Sequence, residues 1–274
     1  MTDKADWQGR VGQEWARRAD ALDQLLGPVG DAGLDALGPV SGIRVLDIGC
    51  GAGATSRALS QRGAVVTGID LSADLLAEAR ARDPDRRSEY LLDDASSVSF
   101  ADPFDRMFSR FGTMFFDDPV AAFSHLHGLM RDDGKAVFVA WLPRQENPWA
   151  SLPLDAAAHL IDVPAADAVS AGPGPFAWCD PDTFNTILSD AGWRDVTWHA
   201  ETHMAMMGAG DDADPLARAA EFALRIGPLA SRLRGATPDL RTAVRGALIN
   251  AFSPWLKDGA VQIPTSAWII QARA

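Results

Sequence analysis

The chain has 274 residues, enough for one α/β domain with embellishments around a sizeable core. Its 47% hydrophobic and 23% charged content is that of a globular protein, and its net charge of −12 counts against a nucleic-acid backbone as partner. Two cysteines make no disulfide framework, residues 1–6 lack the apolar stretch of a signal peptide, and no apolar run approaches membrane-spanning length, so a cytoplasmic protein without a membrane partner is expected.

Residues 5–38 read as helix, with Trp7, Val11, Trp15, Leu22, Leu25 and Leu26 at helical spacing. A break is expected near Gly27-Pro28, then a second short helix over residues 31–37. Residues 43–48 form a buried parallel strand, apolar and too short for a helix. After it Gly49, Gly51 and Gly53 alternate with other residues, allowing a sharp turn and a ligand laid against backbone N–H groups. The helix over 54–61 then points its N-terminus at the same spot.

Strand and helix keep alternating: strands over 65–69, 88–92, 104–108 and 135–142, helices over 73–81 and 119–130. Such alternation predicts an α/β fold, a Rossmann-like, doubly wound and mostly parallel sheet with helices on both faces. Residues 143–179 are rich in Pro, Gly and Ala, with one helical stretch over 149–161 and an extended run at 171–175. Asp180-Pro181-Asp182 starts a helix that ends at Ala191-Gly192. A strand over 194–200, helices near 215–233 and 238–255, and a strand over 261–271 complete seven strands. The chain is therefore read as one domain: a helical cover (1–40), a core (41–142), a cover segment (143–179) and a sheet edge (180–274) with a helical insertion (211–257).

Gly49-x-Gly51-x-x-Ala54 also fits the dinucleotide fingerprint, so a nicotinamide-dependent oxidoreductase is an alternative. Asp47, two residues before the first glycine at the mouth of the loop, would repel a pyrophosphate and attract a cationic amino-acid end. Acids also close the next strands: Asp70 is placed for ribose hydroxyls, and Asp93-Asp94 for an exocyclic adenine amine. Asp47 and Asp70 individually also suit helix caps.

At Asp47–Gly53, Asp70-Leu71 and Asp94-Ala95 the chain resembles the class I S-adenosylmethionine-dependent methyltransferases, over a motif-bearing core of roughly residues 40–142 and in the order of its later elements. The resemblance implies S-adenosyl-L-methionine as cofactor and S-adenosyl-L-homocysteine as product. It implies that Asp47, Gly49, Cys50, Gly51 and Gly53 meet the methionine moiety, Asp70 with Leu71 the ribose, and Asp94-Ala95 the adenine. Ser109, Arg110 and Trp15 complete the expected cofactor set, Trp15 through a cation–π contact to the sulfonium. The resemblance also makes the last two strands an antiparallel edge hairpin, here split by the helical insertion.

Ligands of open α/β sheets lie outside the carboxyl ends of the strands. The segment 109–116 is unusually apolar for a connection, so Phe111, Gly112, Met114 and Phe115 are expected to floor an acceptor pocket, unless they pack beneath the next helix. Trp141, Trp149 and Phe176 are its further expected walls. Relatives that act on nucleobase amines typically carry Asn or Asp before Pro-Pro and an aromatic; Ser109-Arg110-Phe111-Gly112 stands here instead, which favours a small, partly apolar acceptor. Arg110 could also anchor an anionic acceptor group or serve a structural ion pair. His159 is the first candidate base, ahead of His125, His127, His199 and His203, and no cluster has metal-ligand spacing. A monomer or homodimer is expected. A cofactor-binding protein without catalysis, or a non-methylating reaction in the same pocket, are the other readings.

Overall fold

Strand β1 (Arg44–Ile48) is buried along four of its five residues, as a strand covered on both faces must be. In this computed structural model, which describes residues 4–163, 172–210 and 214–274, it pairs in parallel with β2 (Val65–Asp70) and β4 (Phe104–Arg110). Strand β3 (Ser88–Leu92) lies outside β2, and β5 (Met130–Trp141) runs parallel to β4. Next come β8 (Ala260–Arg273), antiparallel to β5, and the edge strand β6 (Arg194–Met207), antiparallel to β8. The order β3-β2-β1-β4-β5-β8-β6 is the expected seven-strand path with its antiparallel edge pair; the two-residue β7 (Leu256–Lys257) adds a short pairing to β8.

The register sets the site. Asp47 sits opposite Gly68 and Phe108, and Asp70 opposite Leu92, so the chain leaves three neighbouring strands at one edge. Helix α3 (Ala19–Leu37) packs over β4 and β5 beside α4 (Ala54–Gln61), while α5 (Ala73–Ala81) touches α2 (Arg10–Ala16). Helices α6 (Pro119–Gly128) and α8 (Pro181–Asp190) pack against each other, α6 on β5 and α8 on β6.

The expected break at Gly27-Pro28 does not occur. The N-terminal region divides instead into α1 (Lys4–Gln8), α2 and α3, at Gly9 and at Arg17-Arg18, and α3 continues through Pro28. An interior proline costs about 3 kcal/mol, and each of the buried Leu25, Leu26, Val29 and Leu34 around it returns about 1.5–3 kcal/mol by leaving water. Gly33 lets α3 approach the sheet: a β-carbon there would lie 2.5 Å from Val139 Cγ2. The strand expected over 135–142 starts earlier, at Met130, because Asp133 takes a left-handed conformation (φ 60°) and the turn is absorbed as an irregularity against β4.

The cover segment and the helical insertion form one group. Helix α7 (Pro148–Ala157) rests on β8 and meets α10 (Pro228–Arg232) and α11 (Pro238–Phe252), and α11 packs on α9 (Pro215–Ala223). Leu154, Phe222, Leu229, Leu248 and Phe252 are buried within it. Among the described residues no helix is long and apolar enough to cross a membrane.

Candidate active site

Two hydroxyls in the first turn of α4 decide where Asp47 points. Thr55 Oγ1 and Ser56 Oγ both donate to its Oδ2 at 2.6 Å, and the side chain is completely buried. Burial pushes the carboxyl up to about 6, a rise that the Ser56 and Thr55 bonds restrain. This departs from the expectation of an acid at the loop's mouth: Asp47 ties β1 to α4 from behind the loop, and its Oδ1 has no hydrogen-bond partner.

The loop's own N–H groups are also engaged. Those of Gly49 and Cys50 donate to Ile69 O at 2.9 and 3.1 Å, and that of Gly51 to Asp70 Oδ2 at 2.9 Å. They fix the loop against β2 rather than waiting for a ligand, and the loop's open face is made by the glycine α-carbons. A β-carbon on Gly51 (φ 55°) would meet nothing within 4 Å, so the cradle there is empty space that a ligand can fill. Cys50 is buried with Leu76, Ala79 and Tyr90, and burial pushes its thiol well up, so its sulfur is packing behind the loop.

Asp70 accepts a second bond from Ser72 N–H at 2.8 Å, and Leu71 lies between them, half-buried. Burial raises the Asp70 carboxyl, opposed by the bonds from Ser72 and Gly51. Asp94 accepts from Ser96 N–H and Ser96 Oγ on one oxygen and from Lys4 Nζ, at 2.7 Å, on the other; Ala95 beside it is buried. Burial alone would raise Asp94, but the Lys4 and Ser96 bonds outweigh it and hold the carboxyl below its usual range.

Two cavities flank this region. A narrow one of about 50 Å³ is lined by Gly49, Cys50, Gly51 and Ala52 on one side and by Trp15, Asp23 and Arg110 on the other. Arg110 and Asp23 pair across it at 3.3 Å, so one cation and one anion face the glycine loop. A second cavity of about 1170 Å³ lies beyond α2, walled by Trp7, Val11, Phe115, Leu154, Phe176 and Trp268 among others. Trp15 lines both. It meets Trp7 edge to face at 5.1 Å between ring centroids, and Trp7 meets Phe115 likewise at 5.2 Å.

Of the residues expected to hold the acceptor, Phe115 and Phe176 line the large cavity. Phe111, Trp141 and Trp149 are buried beside it: Phe111 stacks on Trp141 at 3.7 Å, and Trp141 meets Trp149 at 4.8 Å. Met114 is buried and accepts from Gly174 N–H of the cover segment, so the packing reading of this loop holds for it. Gly112 packs against Gly49, and Ser109, fully buried, donates to Ile48 O and accepts from Gly112 N–H. Both shape the loop and neither lines either of these two cavities, because the two backbones approach too closely to admit a ligand between them. The helix expected to carry His159 ends at Ala157, leaving His159 exposed in the following turn and outside both cavities. Of the run at 171–175, Ala171 lies outside the described residues.

No motif in the sequence pointed to Asp23, Arg10, Arg232 or Trp268, which come to the site from α3, α2, α10 and β8. The one available signal was helical spacing: Asp23 follows Ala19 and precedes Leu26 on the face of α3 that lines the loop.

Sequence comparison matches residues 46–138 to a family described as methyltransferase domain. A demethylmenaquinone methyltransferase of Beutenbergia cavernae is 32% identical over 197 residues, covering 66% of this chain and 80% of that protein. A malonyl-(acyl-carrier protein) O-methyltransferase of Pseudescherichia vulneris is 30% identical over 217 residues, covering 77% and 82%. Among solved structures, the cyclase SpnF superposes with a TM-score of 0.58 at 18% identity over 96% of this chain and 95% of its own, a likeness of fold.

Proposed function

The chain belongs to the class I S-adenosylmethionine-dependent methyltransferases, and from that premise we propose that it transfers a methyl group to a small, partly apolar molecule held in the large cavity. The observation that carries this reading is that Trp15 lines both the narrow cavity at the glycine loop and the large cavity beyond it. The family assignment displaces the nicotinamide alternative.

The residues present fit the cofactor. The narrow cavity offers a guanidinium at Arg110 and a carboxylate at Asp23, complementary to the carboxylate and ammonium of an amino-acid end. The empty cradle at Gly51 leaves room beside it. Asp70 would take the ribose hydroxyls and Asp94 the adenine amine, since carboxylate oxygens that already accept bonds retain acceptor capacity. When bound, S-adenosylmethionine supplies an electrophilic methyl on a sulfonium.

The chain's task is to place the acceptor in line with that methyl and to keep water out. Trp15, lining both cavities, and Trp7, packed edge to face against it, would supply aromatic surface to the cofactor's cation. Orientation of this kind lowers barriers by about 7–11 kcal/mol. Among the described residues lining the large cavity there is no histidine, so positioning and desolvation, not a histidine base, carry the reaction.

Calorimetry with S-adenosylmethionine and S-adenosylhomocysteine tests the reading. Both are expected to bind, and Asp70→Ala to weaken binding by about ten-fold or more. A folded sample that binds neither overturns it.

A further inference from the structure

The large cavity carries the wrong charge for its surroundings. The chain's net charge is −12, yet among the described residues five arginines and no lysine line this cavity, against three acids. Two of those acids are already committed: Glu14 pairs with Arg17 and Arg18, and Asp180 caps α8. Among the described lining residues that leaves Glu146, exposed at the turn after β5. Among the arginines, Arg225 pairs with Glu221 and Arg234 with Asp6. For Arg10, Arg144 and Arg232 there is no carboxylate within ion-pair distance among the described residues.

These three come from separate parts of the chain: Arg10 from α2, Arg144 from the turn at the carboxyl end of β5, and Arg232 from the last turn of α10. Nothing in local structure calls for a cation at Arg10 or Arg144; the fold brings them to the lining of one cavity. Guanidinium groups donate in a planar fork that matches carboxylate and phosphate oxygens; Arg144 is half-buried, and Arg10 and Arg232 stand exposed at the cavity's lining with their donors open to a ligand. Around them the walls are aromatic and aliphatic: Trp7, Trp15, Phe115, Leu154, Phe176 and Trp268.

We propose that the acceptor is an anionic amphipath, an apolar body bearing a carboxylate or a phosphate, and that Arg10, Arg144 and Arg232 receive its anionic group. The inference rests on the methyltransferase reading only for the word acceptor; the preference for an anion stands on the cavity itself. The arginines would hold the charged end, and the aromatic and aliphatic walls of the same cavity would take the apolar body.

The test uses four probes of one chain length, decanoate, decyl phosphate, decanol and decyltrimethylammonium, titrated below their micelle concentrations into the full chain saturated with S-adenosylhomocysteine. The anions are expected to bind at least about ten-fold more tightly than decanol and the cation. Comparing decanoate with decyl phosphate tells which anion the arginines favour. The triple variant Arg10→Gln, Arg144→Gln and Arg232→Gln is expected to lose that preference, while decanol binding and S-adenosylhomocysteine binding stay within about two-fold, which shows that the variant is folded. Equal affinity for decanol, no binding of either anion, or a triple variant that keeps the preference overturns the inference. A sample that fails to bind S-adenosylhomocysteine overturns the methyltransferase reading instead, and the anion preference, measured without it, still decides this one.

Discussion

Gly49 and Gly112 touch backbone to backbone: a β-carbon on Gly112 would lie 2.7 Å from Ile48 O and 2.9 Å from Gly49 Cα. The glycine loop after β1 is thus braced by the loop after β4. Gly112 has ordinary helical dihedrals (φ −92°, ψ −33°), so what excludes a side chain is contact alone.

Gly112→Ala is expected to destabilise the fold by about 1–3 kcal/mol and to weaken S-adenosylhomocysteine binding, because the loop must shift. Gly51→Ala makes the contrasting case. Its β-carbon meets no protein atom, so the left-handed conformation costs only about 1 kcal/mol, but the methyl fills the cradle. Urea denaturation and calorimetry on both variants separate bracing from ligand contact; equal binding losses with equal destabilisation would refute the distinction.

Asp47 predicts a pH dependence of stability. Its carboxyl lies at about 6 in the fold against 3.8 for an unperturbed one, so between those values the folded state binds more protons than the unfolded state. The contribution is fully present below about pH 4 and is lost as pH rises through 6, amounting to about 3 kcal/mol. In Asp47→Asn this component should vanish, so the variant gains on the parent between pH 4 and 6.5. Parallel denaturation profiles for the two proteins would contradict it.

Lys4 and Asp94 join α1 to the loop after β3 at 2.7 Å, with the lysine side chain 39% and the aspartate 25% exposed. At that exposure the pair contributes about 0–1 kcal/mol, and salt screens it. Lys4→Ala should therefore leave the denaturation midpoint nearly unchanged, yet increase cleavage of α1 in limited proteolysis. A midpoint loss comparable to a core substitution would show that the pair has a larger role.

Gly33→Ala sets propensity against packing. Alanine favours a helix interior by about 1 kcal/mol over glycine, but its methyl would lie 2.5 Å from Val139 Cγ2 and 3.2 Å from Phe108. Overpacking costs about 1–3 kcal/mol, so the variant is expected to be less stable on thermal denaturation. A gain in stability would mean that α3 can lift from the sheet.

The sequence alone determined the alternation of strands and helices, the glycine loop, and the acids at the ends of β1, β2 and β3, because each is local: a period, a turn, a strand end. The apolar loop at 109–116 and the cover segment also made Phe115 and Phe176 candidates for an acceptor pocket, and both line the large cavity. Only the tertiary structure decided which way Asp47 faces, since that depends on two hydroxyls a helical turn away, and that Ser109 and Gly112 brace the loop. It also decided that α3 continues through Pro28, because burial against the sheet outweighs the local cost. The pairing of Arg110 with Asp23 and the gathering of Arg10, Arg144 and Arg232 around one cavity were likewise beyond the sequence. They join positions scattered from α2 to α10, and such convergence is set by how the helices pack, which no window along the chain contains.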